Sequence, residues 1–273
     1  MWQPPGLCLW FKMATMTGRL LAIDGLNIVR RVYEASPEPD SDLKAEIALR
    51  HAFSAFQRLV NGHEPTHILP AFDYGGTTWR HTLYNGYRVG RQPMPEVLRE
   101  ALPEFYLRLS DIGMCPISIP DVEADDVIGT VVTRWLSEKR GEAVVATTDK
   151  DLHCLIAEGA RIWDHFKSEW HDRAWVEKKW GVTPGMLPDL LALMGDETDS
   201  IPGVSNVGVK TAARLLRTYG TLDAIMAGAG ILKDKVGESL RKEREMLYLS
   251  RQLVQLKTDV KIGVSWNMLV WDR

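Results

Sequence analysis

Two hydrophobic rhythms alternate along the chain from Arg19 onward. Short apolar runs of strand length are followed by longer segments in which apolar residues recur at helical spacing. Arg19 to Ile23 (RLLAI) and His67 to Phe72 (HILPAF) are such runs, ending at Asp24 and Asp73. Between them, Leu43 to Leu59 has helical spacing that predicts a shared face for Ile47, Phe53, Phe56 and Leu59. Cys115 to Ile119 (CPISI) and Ala143 to Ala146 (AVVA) read as further strands, followed by helices over Glu123 to Leu136 and Lys150 to Ile156. Strand and helix in repeated order predict an α/β fold, a mostly parallel central sheet with helices on both faces. Ligands of such sheets bind at the carboxyl ends of the strands, where Asp24, Asp73 and the Asp149/Asp151 pair fall.

The last third is helical, with helices expected over Pro184 to Met194, Val209 to Tyr219, Leu222 to Met226 and Val236 to Leu256. The chain therefore divides into an α/β core at 18–180, a helical region at 181–260 and a C-terminal tail at 261–273. Residues 1–17 stand apart from this pattern. They hold one basic residue and an apolar stretch of about five, without a small-residue cleavage site, so they fail as a secretory signal. The expectation is a tail or a misassigned start, with Met13 or Met16 as the true first residue.

Composition adds little to the fold and excludes several classes. With 273 residues, 45% hydrophobic and 25% charged, the chain is neither disordered nor fibrous. No apolar run reaches the roughly 18 residues that a membrane span needs. Cys8, Cys115 and Cys154 lie far apart, which predicts neither a disulfide framework nor a cysteine zinc site, and points to a reducing cytoplasm.

Carboxylates carry the densest chemical signal. VEADDVIG places Glu123, Asp125 and Asp126 at a helix start, TTDKDL adds Asp149 and Asp151, and MGDETDSIPG adds Asp196 and Asp199. Each group alone reads as helix capping or turn chemistry. With Asp24 and Asp73 they make nine acids that this architecture brings to one edge. Carboxylates gathered so closely repel one another unless cations neutralise them. An oxygen-only donor set selects Mg²⁺ or Mn²⁺, and two such ions serve in-line displacement at phosphorus. Charge supports a polyanionic substrate: 33 basic against 36 acidic residues gives −3, but without these nine acids the balance is 33 against 27, or +6.

Trp79 to Pro95 interleaves Arg80, His81, Arg88 and Arg91 with Trp79, Tyr84 and Tyr87. Forked guanidinium donors suit phosphate oxygens, and aromatic rings stack on unpaired bases. Ile201 to Leu216 has a Pro-Gly turn and Gly208 before Lys210 and Thr211 open a helix. Backbone N–H groups at such a start bind phosphate without reading sequence, which makes a helix-hairpin-helix the expected reading.

In this order and spacing, AIDGLNIVRR, AFDYGG…WRH…GYRVGR, VEADDVIG, TTDKDL and MGDETDSIPGVSNVGVKTAARLL resemble the 5′-nuclease family. The likeness runs from about Arg19 to Val260 and is strongest to its stand-alone bacterial exonuclease IX group. The resemblance implies a PIN-like core and a Mg²⁺-dependent enzyme that cuts DNA at 5′ flaps and 5′ ends at single-strand/double-strand junctions, acting as a monomer. It implies a first metal site of Asp24, Asp73, Glu123, Asp125 and Asp126 and a second of Asp149, Asp151, Asp196 and Asp199. It also implies a helical arch over about 75–103 that brings Arg80, Tyr87, Arg88 and Arg91 to the reacting phosphate. A K⁺ ion would sit on the carbonyls of Leu193, Met194, Pro202, Val204 and Val207, and Asn206, Val207, Gly208, Val209, Lys210 and Thr211 would meet the DNA backbone. Two positions depart from the family pattern: Arg88 replaces a usual Lys, and Asn206 replaces the first Gly of a GxG turn.

Three other readings compete. A non-catalytic junction binder would rest on Arg88 and Asn206 alone. A nuclease acting on RNA has the same metal-site design. A Mg²⁺-dependent phosphatase is disfavoured because Asp24-Gly25-Leu26 lacks a second acid two residues on.

Overall fold

The computed structural model describes residues 18–272, so the expectation for residues 1–17 lies outside the described residues. Its sheet has five strands, β1 (Gly18–Asp24), β2 (His67–Ala71), β3 (Gly141–Ala146), β4 (Arg161–Asp164) and β5 (Glu169–His171), in the order β2-β1-β3-β4-β5. All neighbours run parallel except β5, which returns antiparallel along β4. The helices are α1 (Gly25–Glu34), α2 (Asp42–His63), α3 (Trp79–Leu83), α4 (Glu96–Asp111), α5 (Ala124–Ser137), α6 (Arg173–Trp180), α7 (Leu187–Met194), α8 (Val209–Tyr219), α9 (Leu222–Gly228), α10 (Lys235–Lys242), α11 (Arg244–Val254) and α12 (Trp266–Leu269).

Both faces of the sheet are covered, as parallel pairing requires. Along β1, Leu21 and Ile23 pack toward α1, α2 and α4, whereas Leu20 and Ala22 pack toward α5. The period-two alternation of β1 thus feeds two separate cores. Gly25 allows α1 to start at once after β1, since a Cβ there would stand 2.2 Å from the Phe72 ring. A third core joins α7, α8, α9 and α11, and Tyr87, from the segment after α3, is buried in it.

Several expectations change in the folded chain. Cys115 to Ile119 is not a strand: Pro116 has no N–H to donate, and only Ile117 pairs, bridging Ala71, the last residue of β2. Phe56 and Leu59 are buried as expected, but Ile47 is exposed, and α2 fills the rest of its buried face with Ala45, Ala48, Leu49, Ala52, Ala55 and Val60. Residues Asp151–Glu158 form a 3₁₀ helix, starting one residue later than expected. Val236 to Leu256 is two helices, broken at Glu243, whose carboxylate accepts a hydrogen bond from the Ser205 N–H at 2.8 Å. The C-terminal tail packs back on the core, with Leu269 buried, Trp266 edge-on to Trp135 and Val270 bridged to His67.

Candidate active site

The carboxyl ends of β1, β2 and β3 open into a cleft of about 1060 Å³. Asp24, Asp73, Glu123, Asp125 and Asp149 line it, faced by Asn27, Arg30 and Arg31 of α1 and by His81, Arg88 and Arg91. Local structure fixes each acid. Asp24 ends β1 and caps α1, accepting from the Asn27 N–H, and its other oxygen accepts from the Thr147 hydroxyl at 2.9 Å. Asp73 reaches the start of α5 and accepts from the Ala124 N–H at 2.7 Å. That bond supplies a capping acceptor that the Glu123 side chain, at the N-cap position itself, does not provide. Asp149 accepts from the Asp151 N–H at 3.0 Å and donates its own N–H to Thr147.

The electrostatics are those of negative charges held together. Burial, then the charge of Asp149, pushes the Asp24 carboxyl up to about 7. Asp125 is held well above the usual carboxylate range by burial and by Asp149, Asp24, Asp73 and Asp151. Burial and Asp149 raise Asp151 likewise. Asp151, at the start of the 3₁₀ helix after β3, and Asp196 and Asp199, between α7 and α8, each offer an oxygen within 4.8 Å of the others. The buried Asp151 Oδ1 has no hydrogen-bond partner. A buried carboxylate oxygen without a hydrogen bond, its one ion pair the Lys150 ammonium at 3.8 Å, fits a hard divalent cation in an all-oxygen cluster of acids that repel one another.

Glycine builds the loop that carries Asp196 and Asp199. A Cβ on Gly203 would lie 2.3 Å from the Met194 carbonyl carbon, and one on Gly195 would lie 2.5 Å from Gly203 N. This close crossing allows Asp196 and Ile201 to pair in both directions, at 2.9 and 2.8 Å. Lys150 Nζ sits 2.7 Å from Asp196 and 3.8 Å from Asp151. Arg88 ties the segment after α3 to the same loop, donating its N–H to the Asp199 carbonyl and its Nε to Asp199 Oδ1 at 2.9 Å. Burial opposes the Asp199 charge, but Arg88 and Arg91 outweigh it and hold that carboxyl below its usual value.

The structure does not place all the expected site residues alike. Asp126 is fully buried and lies outside the cleft lining, with both oxygens bonded to Arg80 and further bonds from Trp79 Nε1 and the Lys257 N–H. Arg80 is also buried, and donates to the Leu253 and Gln255 carbonyls at the end of α11. Glu123 accepts from Thr78, Tyr87 and Arg88. Burial, then Glu123, raises the Tyr87 phenol, which stays protonated and donates to Glu123 at 3.1 Å.

In the hairpin between α7 and α8, Asn206 holds a left-handed backbone, φ 66°, as its replacement of Gly demands. Ser205, Asn206, Gly208, Val209 and Lys210 are exposed, and Thr211 half-buried, at the start of α8, whose first turn has no acid. Of the carbonyls expected around K⁺, Leu193 accepts from Val204 N, Val204 from Val207 N, and Pro202 from the Ser250 hydroxyl. Each carbonyl keeps a second lone pair. Sequence reasoning missed Asn27, Thr147 and Lys150 as shapers of the site. All three lie inside the quoted motifs, where a polar residue beside a strand end was the available signal.

Comparison with known proteins agrees with this geometry. The description "5′-3′ exonuclease, N-terminal resolvase-like domain" matches residues 19–181, and "5′-3′ exonuclease, C-terminal SAM fold" matches residues 182–273. Flap endonuclease Xni of Shewanella amazonensis is 38% identical over 252 residues, 92% of this chain and 97% of the relative. Its counterpart in Shewanella putrefaciens is 37% identical over 90% of this chain and 92% of the relative. T5 5′-exonuclease with bound divalent metal ions (zinc) superposes with a TM-score of 0.75 at 20% identity, covering 88% of this chain and 90% of its own. The catalytic core of Rad2 in complex with DNA substrate superposes at 0.56 and 14% identity, covering 93% of this chain and 83% of its own. These two likenesses concern the fold. With both halves matched and relatives above 30% identity across nearly the whole length, the chain belongs to the 5′-3′ exonuclease family of metal-dependent nucleases.

Proposed function

We propose that this nuclease hydrolyses phosphodiesters of DNA at 5′ flaps and 5′ ends where single strand meets duplex, using two Mg²⁺ or Mn²⁺ ions. The observation that carries the reading is the cleft itself. Acids that raise one another's protonation sit at its floor, and arginines from α1 and from the segment after α3 form its wall. Relatives named flap endonucleases support the flap as the preferred structure.

In this reading Asp24, Asp73, Asp125 and Asp149 hold one ion and Asp151, Asp196 and Asp199 the other. When bound, the ions supply a water of lowered pKa and neutralise charge at the leaving oxygen. Everything else falls to the chain. Asp126 and Glu123 have their oxygens engaged by protein donors, so we assign them the task of holding α5 and the segment after α3 in register. Arg80 shares that task through Asp126. Arg88, Arg91, Arg30 and Arg31 present guanidinium groups to the scissile phosphate and its neighbours, the geometry that forked donors favour. The exposed turn from Asn206 to Thr211 offers N–H groups to the duplex backbone, away from the cut. K⁺ on the hairpin carbonyls would draw the same backbone phosphates closer. The region beyond residue 181 thus serves both tasks, with Asp196 and Asp199 at the cut and the hairpin turn on the duplex. The working form is a monomer in the cytoplasm, a compartment that the free Cys115 and Cys154 suit.

The test is cleavage of a 5′-labelled flap substrate and a matched blunt duplex, with Mg²⁺ or EDTA, by the wild type and by Asp125→Asn. Metal-dependent, flap-selective cutting that the variant loses, with binding kept within a few-fold, is the expected result. Tight flap binding without cutting under either metal would instead identify a junction binder.

A further inference from the structure

We propose that Asp164, Glu169 and His171 form a separate site for a divalent transition-metal ion, of the Zn²⁺ or Co²⁺ class, on the β4–β5 hairpin. One ligand atom from each lies within 4.8 Å of the others. Asp164 and His171 are only 2% and 4% exposed, so this is no solvated surface cluster. None of the three lines the catalytic cleft, and the inference stands independently of the nuclease reading.

Converging ligand atoms supply the reason for a cation. His153 Nδ1 faces the Asp149 carbonyl oxygen at 2.7 Å, and a carbonyl only accepts, so that nitrogen carries the hydrogen. His153 Nε2 stands 2.8 Å from His171 Nδ1, and this contact between the two rings orients His171. It turns His171 Nε2 toward Glu169 Oε1, 3.0 Å away, and Asp164 Oδ2, 4.0 Å away. One imidazole nitrogen and two carboxylate oxygens thus converge, with the Lys167 ammonium 3.9 Å from Glu169 Oε1 as a neighbouring cation.

The surroundings favour the metal. A ligating imidazole normally has its other ring nitrogen held by a fixed partner, and His171 Nδ1 is held by His153 Nε2 at 2.8 Å. Trp175 stacks on the His171 ring at 3.6 Å between centroids and fixes its plane. Asp164 Oδ1 is occupied by the Phe166 and Lys167 N–H groups, so the turn itself holds Oδ2 toward His171. One imidazole nitrogen with two carboxylate oxygens selects a transition ion over Mg²⁺. An ion here would pin β5 to β4 and, through His153, steady the Asp149 carbonyl at the cleft.

Calorimetric titration of the full chain with Zn²⁺ in excess Mg²⁺, repeated with Co²⁺ by visible absorption, tests the site. The wild type and Asp125→Asn should both bind one ion that Mg²⁺ does not displace. Glu169→Gln, at a half-exposed position, should weaken that ion at least tenfold, and His171→Gln should remove it. Binding of no such ion, or binding that Glu169→Gln leaves unchanged, overturns the proposal. Loss of the ion in Asp125→Asn would place it in the catalytic cleft and overturn the proposal as well.

Discussion

Arg80 and Asp126 form a buried two-point pair, with Nη1 to Oδ2 at 2.7 Å and Nη2 to Oδ1 at 2.9 Å. The pair lies directly behind the cleft and links three parts of the chain. Arg80 belongs to α3, Asp126 to the first turn of α5, and the remaining Arg80 donors reach the carbonyls that end α11. The helix that presents Asp125 is thus held by the segment that presents Arg88 and by the helical region beyond residue 181. Lys257 completes the junction with its N–H on Asp126 and its ammonium 4.0 Å over the Trp79 ring.

Removing one member of this pair leaves the other charged and buried without its ionic partner. Arg80→Ala should cost about 3–5 kcal/mol of unfolding free energy, as unpaired buried charges do. Urea denaturation at pH 7 measures it. A loss below about 1 kcal/mol would show that the pair is not buried as described.

On the proposed two-metal reading, protons and metal ions compete for the cleft acids. Asp24 has its folded-state pKa raised to about 7, and Asp125 and Asp151 are raised too. An acid raised on folding stabilises the native state below its unfolded pKa, near 4, and that contribution is lost as pH climbs through the folded value. Metal-free protein therefore loses this contribution between about pH 4 and 7. His63 and His165, both lowered chiefly by burial, act oppositely as pH falls below their unfolded value, so the metal response isolates the acids. The rise in Tm on adding Mg²⁺ should be larger at pH 8 than at pH 5. Equal shifts by differential scanning fluorimetry would contradict the acid cluster.

Where local pattern decides structure, the sequence was informative. The period-two run of β1 and the acid at its end are readable because β1 is paired on both sides and buried from Leu20 to Asp24. β4 and β5 escaped, because RIWD and EWH are short and mix Trp with charged residues at the sheet's edge. α1 escaped because it follows Asp24 without a turn. The cleft acids were legible as motifs. Their division of labour was not, since Arg80 meets Asp126 across 46 residues and Lys150 meets Asp196 across 46. Only folding reveals which carboxylates are already neutralised.

Arg88 holds Asp199 and Glu123 together, at 2.9 and 3.0 Å, from a left-handed backbone of φ 56°. Removing it takes a guanidinium from the cleft wall and loosens two acids. Arg88→Ala should slow single-turnover cleavage by about 10²-fold or more, in line with losing one charge-stabilising donor. Arg88→Lys keeps the charge and should stay within about tenfold of the wild type. Equal rates for all three proteins would remove Arg88 from the reaction.

Lys210 tests the other half of the molecule. It is exposed in the first turn of α8, where N–H groups without intrahelical partners and its own ammonium face solvent together. A contact of that kind neutralises a phosphate without reading a base, so its loss should weaken binding equally for all sequences. Each phosphate contact releases condensed counterion, and losing one lowers the slope of log K against log salt by about 1. Lys210→Ala, measured by fluorescence anisotropy on a duplex-flap substrate across several salt concentrations, should show both effects and leave the single-turnover rate at saturating enzyme nearly unchanged. A parallel salt dependence in variant and wild type would show that this hairpin does not touch the DNA backbone.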